Sequence, residues 1–315
     1  MFDVSSAGTL VYRVGAPEDR DGRRNLRLVV ADRRGRELAE LPARVPWTPR
    51  FSPDGGRIAY GAFAPGRDGS DVWITDLGTS TTRQLTSDDN DSNDPQWSPD
   101  GRSIAYSANG GDGKDVVVQA LDGGSARRFA RPGVQWPSDW LRDGRALLVT
   151  DRGNTGGEDL SVQPVDGTAA RAYLESGAQE LGARVSPDGR WVAYRSNRSG
   201  RDEVYVESYP TPGRRTLVSA EGGVSPVWGQ DGRQLYYWQR DQLMAAELDA
   251  GGDGPLTVRD RRPLFRAPYF AGVHAMYDVS PDGTRFAIVT SGARAGPLVV
   301  ALNALGPVAG RRATW

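Results

Sequence analysis

Residues 97–107 read WSPDGRSIAYS, a Pro-Asp-Gly turn set between an aromatic residue and a short apolar run. Close copies stand at 51–61 (FSPDGGRIAYG), 185–195 (VSPDGRWVAYR) and 279–289 (VSPDGTRFAIV). Proline presets the first central position of a type I turn, and aspartate can bond its own backbone. Glycine takes the left-handed position that lets two strands continue past a bulge. The phrase is therefore hairpin chemistry, and its Asp is expected to be a turn residue.

Outward from this phrase the chain is periodic. The turn glycines are Gly8, Gly55, Gly101, Gly144, Gly189, Gly232 and Gly283, spaced 47, 46, 43, 45, 43 and 51 residues apart. That is the length of a four-stranded propeller blade. The second unit shows the grammar: PRFS (49–52), the turn, RIAYGAF (57–63), DVWITDL (71–77) and TRQLT (82–86). Two units depart at the turn, WLRDGRALLV (140–149) and WGQDGRQLYYW (228–238). No long stretch has a helical period. The expectation is an all-β, seven-bladed β-propeller forming one domain over 1–315, with blades near 2–44, 45–90, 91–133, 134–177, 178–222, 223–268 and 269–315. Trp97, Trp140, Trp228, Phe51 and Tyr106 would pack between blades, as would Trp73 and Tyr205 on central strands. The last unit has three evident strands, so a terminal segment, RRATW (311–315) or one preceding Phe2, is expected to close the ring.

Composition narrows the function classes. The 315 residues carry 39 Lys+Arg against 40 Asp+Glu, a net charge of −1, so no basic surplus favours nucleic acid. Lys114 is the single lysine among those cations. With no Cys, disulfides, thiol catalysis and thiolate metal sites are excluded. No apolar run has the length of a membrane span, and MFDVSSAGTL lacks the basic and apolar regions of a signal peptide. The chain starts within a strand pattern, as a domain taken from a longer protein would.

Residues 95–106 (PQWSPDGRSIAY), with DVWITDL and RQLT (83–86), resemble the TolB-like, WD-related propeller repeat. The likeness spans nearly the whole chain and implies the fold. Residues 200–249, together with RRPLFRAPY (261–269), YDVSPDGTRFAIV (277–289) and PLVVALNAL (297–305), resemble the carboxy-terminal propeller region of bacterial eukaryotic-like serine/threonine protein kinases. That resemblance implies a sensor or interaction module, joined through a membrane helix to a cytoplasmic kinase and facing outward. The kinase signatures themselves, a Gly-rich loop with its Lys, H-R-D and D-F-G, are missing here.

Little else points to catalysis. A propeller also precedes the catalytic domain of prolyl-oligopeptidase-type hydrolases, but no G-x-S-x-G elbow is found. His274 is the one histidine and cannot build a triad alone. In DDNDSNDP (88–95), Asp89, Asp91 and Asn93 alternate as in a calcium loop, yet Asp94 replaces the sixth-position Gly and no Glu closes it. The strongest constellation is the residue two before each turn Ser or its equivalent: Asp3, Arg50, Gln96, Asp139, Arg184, Val227 and Asp278. Alternation turns the adjoining apolar residue between blades and this one toward a central channel. Trp47, Asp94, Trp136 and Tyr269 precede these strands and are expected to rim the same mouth. The site would take a protein, a peptide or a small polar ligand, with no cofactor. The alternatives are a propeller enzyme or hydrolase accessory domain with its site at the channel, and a structural domain dimerising through an open edge rather than standing as a monomer.

Overall fold

The computed structural model describes residues 2–4, 10–13, 26–64, 69–87, 90–153, 157–249, 254, 256–269, 272, 274–291 and 298–301. Among these, the regular secondary structure is strand alone. Strands such as Arg57–Phe63 and Ser103–Asn109 bury five successive residues. Both faces are covered because another sheet lies on each side. Burial thins outward: Thr82–Gln84 and Glu37–Leu41 are largely exposed.

The blades succeed one another in chain order. Blade 1 is Trp47–Phe51, Arg57–Phe63, Ser70–Asp76 and Thr82–Gln84. Blade 2 is Asn93–Trp97, Ser103–Asn109, Lys114–Ala120 and Arg127–Phe129. Blade 3 is Val134–Trp140, Ala146–Arg152, Glu158–Pro164 and Arg171–Leu174. Blade 4 is Glu180–Val185, Trp191–Ser196, Glu203–Ser208 and Arg215–Leu217. Blade 5 is Val224–Trp228, Gln234–Gln239, Gln242–Asp249 and Thr257–Arg266. Blade 6 combines Tyr277–Val279 and Arg285–Ser291 with Leu26–Asp32 and Glu37–Leu41. Four of these are separate four-stranded sheets, while blades 2 and 3 are joined into one eight-stranded sheet by the single parallel pair Lys114–Val134.

The blade count corrects the expectation of seven. Seven turn glycines do not make seven blades, because the strands expected at the two ends of the chain share a sheet. Arg285–Ser291 pairs antiparallel with Leu26–Asp32, in register Arg285↔Asp32 to Ser291↔Leu26. The chain's own early strands therefore complete the last blade. Phe2–Val4, Leu10–Arg13 and Leu298–Ala301 pair with one another in a separate three-stranded sheet. The segment 311–315 lies outside the described residues.

Burial explains the closure. On one face of blade 6, Val29, Ala31, Phe286 and Ile288 pack against Tyr236, Trp238 and Leu243 of blade 5. On the other, Leu28, Val30, Ala287 and Val289 pack against Phe51, Ile58 and Tyr60 of blade 1. Four further cores fill the remaining junctions, so each blade covers its neighbours and the ring is closed. Trp97, Trp140, Trp228, Phe51, Tyr106 and Tyr205 all lie in these cores, and Trp73 packs against one.

The repeated turns serve this architecture. Gly55, Gly101, Gly189 and Gly283 have φ of 70°, 68°, 72° and 67°, values that favour glycine. Asp100 accepts from the Ser98 hydroxyl at 2.6 Å and the Arg102 amide at 3.0 Å, and Asp54, Asp188 and Asp282 repeat the pattern. Third strands of four blades carry a buried acid at their first or second residue that ties the blade together: Asp71 accepts from Thr86, Asp115 from Arg128, Glu158 from Arg152 and Glu203 from Gly222.

Candidate functional site

The six inner strands line the axis, and irregular backbone aims their side chains. Five of them carry a register break, between residues paired at Trp47/Arg50, Asn93/Gln96, Pro137/Asp139, Leu181/Arg184 and Val224/Val227. Thr48, Asp94 and Ser225 sit in these breaks with φ of 39°, 55° and 58°. Each break bends its strand and re-aims the side chains beyond it. Side chains before and after it consequently face two different spaces.

The first space, about 280 Å³, lies on the turn side. Its floor is Arg50, Gln96, Asp139, Arg184, Val227 and Asp278, so the structure brings six of the seven aligned positions together. Asp3, the seventh, lies on Phe2–Val4, whose side chains are outside the described residues. The rim is the turn position itself: Pro53, Pro99, Pro187 and Pro281, with Arg142 and Gln230 standing where the two divergent turns lack proline.

Hydrogen bonds on the floor are of two kinds. Gln96 Oε1 accepts from Arg50 Nε and Arg184 Nη1, both at 3.1 Å. Arg50 Nη1 also donates to the carbonyls of Pro49 and Ala275, at 2.7 and 2.9 Å. The aspartates instead serve backbone: Asp278 accepts from the Phe51 amide and Asp139 from the Val185 amide, each at 2.9 Å. Asp139 also holds Arg142 at 2.8 Å.

The remaining donors are unspent. Gln96 Nε2 and Arg184 Nη2 are buried and have no hydrogen-bond partner. Arg184 approaches Asp278 only to 3.7 Å. Three guanidinium groups face two carboxylates, and no carboxylate among the described residues lies within ion-pair distance of Arg50. Burial, and then the Arg184 charge, push the Arg50 guanidinium down to about 9. Burial pushes the Asp278 carboxyl up. Floor and rim together thus carry one cation more than carboxylates, and with two idle N–H donors the mouth can receive an anionic oxygen.

The second space, about 640 Å³, takes the opposite ends of the same strands. Trp47, Asp94, Trp136 and His274 are in its wall, so these residues do not rim the same mouth as Arg50 and its counterparts. Tyr269 is in neither wall. Its hydroxyl donates to Ser225 at 2.9 Å and accepts from the Met276 amide at 3.0 Å, and its ring stacks on Trp238 at 4.4 Å. Burial pushes that phenol up to about 12. His274 is buried, edge-on to Trp136, and burial holds its imidazole well below the ordinary value.

The calcium-loop residues are otherwise engaged. Asp91 bonds Ser70 and Lys114, the latter at 2.9 Å, and Asn93 contacts Ser107. Asp89 lies outside the described residues. Among the described residues, no group of three or more His, Cys, Asp or Glu is placed to hold a metal ion.

Reading the inner strands alone missed Arg142 and Gln230 on one rim and Lys114 in the other wall. The signal for the first two was present, since among the six units from Gly55 onward only theirs replace the turn proline.

A scan against protein families matches the TolB beta propeller domain over residues 95–261, about half of the chain. The chain belongs to the TolB beta propeller domain family. Among solved structures, the chain is similar to a putative TolB from Agrobacterium tumefaciens, with a TM-score of 0.66 and 20% identity, covering 85% of this chain and 98% of that one. It is also similar to TolB from Acinetobacter baumannii, with a TM-score of 0.57 and 14% identity, over 94% of this chain and 79% of that one. At these identities the likeness is one of fold. Among curated proteins, it is 35% identical over 109 residues to YuxL of Bacillus subtilis, named as an uncharacterized peptidase. That match covers 32% of this chain and spans 16% of the relative's length. Among the described residues, no helix is long and apolar enough to cross a membrane.

Proposed function

We propose that this TolB-type propeller is a non-catalytic binding module whose turn-side mouth captures a carboxylate group of a protein or peptide. The observation that carries the reading is the pair of buried, unpartnered donors, Gln96 Nε2 and Arg184 Nη2, beside a guanidinium without a carboxylate partner. A carboxylate accepts from both donors and offsets the surplus charge. The space of about 280 Å³ suits a chain end or one acidic side chain rather than a folded surface. The proline rim limits entry to a narrow group.

Anisotropy with a labelled hexapeptide pool free of Asp and Glu, so that the chain end carries the only carboxylate, tests this. Peptides with a free terminal carboxylate should bind, the amidated pool should not, and Gln96→Leu should weaken capture at least tenfold. Equal binding of the amidated pool overturns the reading.

The likeness of residues 200–249 to kinase-linked propellers supports an outward-facing sensor in a larger bacterial protein. The partial match to a protein named as a peptidase favours a second reading, an accessory propeller beside a hydrolase domain. The sequence of the parent gene separates them: a kinase domain with a membrane helix supports the first, an α/β domain with a nucleophile elbow the second.

A further inference from the structure

The second space, at the other end of the inner strands, has its own chemistry. Its volume of about 640 Å³ is that of a small-molecule or side-chain pocket. Trp47, Phe63, Trp136 and Met276 give it apolar and aromatic walls. Two acidic side chains reach it, and they differ in their partners. Asp91 is neutralised by Lys114, and its other oxygen takes the Ser70 amide and hydroxyl. Asp94 accepts a long bond from the Ser107 hydroxyl, at 3.2 Å, and, with the Asn93 side-chain amide turned so that its oxygen and nitrogen both find partners, a neutral amide bond from Asn93 at 2.7 Å. No cation among the described residues lies within ion-pair distance of its carboxylate.

A second, independent feature lies in the same wall. His274 is 2% exposed, and its Nε2 has no hydrogen-bond partner. A buried ring nitrogen without a partner is costly unless something supplies one. The backbone of Asp94 is held at φ 55°, in a strand break that costs energy and sets the carboxylate at this position. Burial pushes that carboxyl up, and the Lys114 and Arg50 charges oppose the shift only in part.

We infer that this pocket binds a protonated alkylamine, its ammonium placed between the Asp94 carboxylate and His274 Nε2 and its carbon chain against Trp47, Phe63 and Trp136. An ammonium has three donors and no acceptor, matching a carboxylate and a neutral ring nitrogen. Aromatic walls favour a cation and cover its methylene stem. The same ammonium can come from a free diamine or from a lysine side chain. This site is separate from the turn-side mouth and does not depend on it.

Calorimetry with two probes lacking any carboxylate tests the inference: 1,5-diaminopentane, and a capped Gly-Lys-Gly peptide. One or both should bind saturably at one site, and which of them binds identifies the source. The acetyl-lysine version of the peptide should not bind. Asp94→Asn should weaken binding at least tenfold, while Leu38→Gln, on the exposed outer strand, should leave it unchanged. Phe63→Lys, which brings an ammonium to the wall, should block both probes and covers the case in which Asp94→Asn does not fold. Binding of neither probe, equal binding of the acetylated peptide, or unaltered binding by Asp94→Asn or Phe63→Lys overturns it.

Discussion

Trp97 donates its indole N–H to the backbone carbonyl of Arg50 across the junction of blades 1 and 2, at 3.0 Å. Trp140 does the same to Gln96, and Trp228 to Arg184. Where the next blade has Val185 or Phe51 instead of Trp, the bond reverses direction: Asp139 and Asp278 accept the backbone amides of those residues. The mixed identities on the inner strands thus obey a local rule. At five of the six junctions a Trp ahead goes with Arg or Gln behind, and Val or Phe ahead goes with Asp; the junction of blades 5 and 6 departs from this, with Val279 ahead of Val227. Trp97→Phe should lose this bond while keeping most of the ring, lowering stability by about 1 kcal/mol. Urea unfolding measures it, and an unchanged midpoint would show the bond to be energetically idle.

Asp139→Ala should cost more, about 1–3 kcal/mol, because it leaves the buried Val185 amide without an acceptor. Asp139→Asn keeps one acceptor oxygen and should fall between Ala and wild type. Equal stability of all three would contradict this account.

Arg50 and Arg184 should separate in mutagenesis, although their alignment suggests equivalence. Arg50 ties blade 1 to the Ala275 carbonyl of blade 6, so Arg50→Ala should lower the melting temperature. Arg184→Ala removes the unpartnered Nη2 together with a single side-chain bond to Gln96, and should weaken carboxylate capture with a smaller thermal cost. Thermal scans beside peptide anisotropy would reverse this assignment if Arg184→Ala melts lower.

The turn aspartates predict an acid limb of stability. Asp282 is pulled down from 3.8 to about 2, chiefly by the Ser280 hydroxyl and the Thr284 amide. A carboxylate lowered by folding stabilises above its unfolded value, and that contribution is lost as pH falls through its folded value. Asp282→Asn should therefore be less stable than wild type at pH 6, with the gap closing between about pH 4 and 2. The turn is largely exposed, so solvent screening keeps the effect small. A gap independent of pH would assign it to turn geometry alone. Asp278 pulls the other way: burial raises its carboxyl, so its charge costs stability as pH rises through its folded value.

Deleting residues 26–45 should expose both the Arg285–Ser291 edge and the apolar faces beside it. The expected result is loss of cooperative unfolding and a tendency to associate, read by light scattering. A monomeric, cooperatively unfolding product would mean that blade 6 does not hold the ring.

Much of this was legible in the sequence, for reasons that particular residues make plain. A left-handed glycine every 43 to 51 positions identifies the turn because few other residues adopt that backbone. Trp97 and Trp140 announce packing because both faces of a blade must be covered. Counting blades failed because a repeat records strands, not their partners: Leu26–Asp32 reads like any third strand and does not reveal that it pairs with Arg285–Ser291. The single-mouth expectation failed similarly. Trp47 and Arg50 are close in sequence, but the break at Thr48 sends them to different ends. Arg142 and Gln230 looked like imperfect copies of a turn, and only the ring shows that their replaced prolines form a collar.

Blade 6 also sets a timetable. On a ribosome, Leu26–Asp32 and Glu37–Leu41 emerge before blades 1 to 5, yet Asp32 must wait for Arg285 before its ladder can form. While blades 1 to 5 are made and assemble in order, the nascent chain carries a hairpin with one unpaired side. Such a long-range pairing is slow and leaves an adhesive edge exposed until the end. Release of the chain's last described blade, rather than any single turn, is then the moment at which the ring locks and both axial pockets come into being.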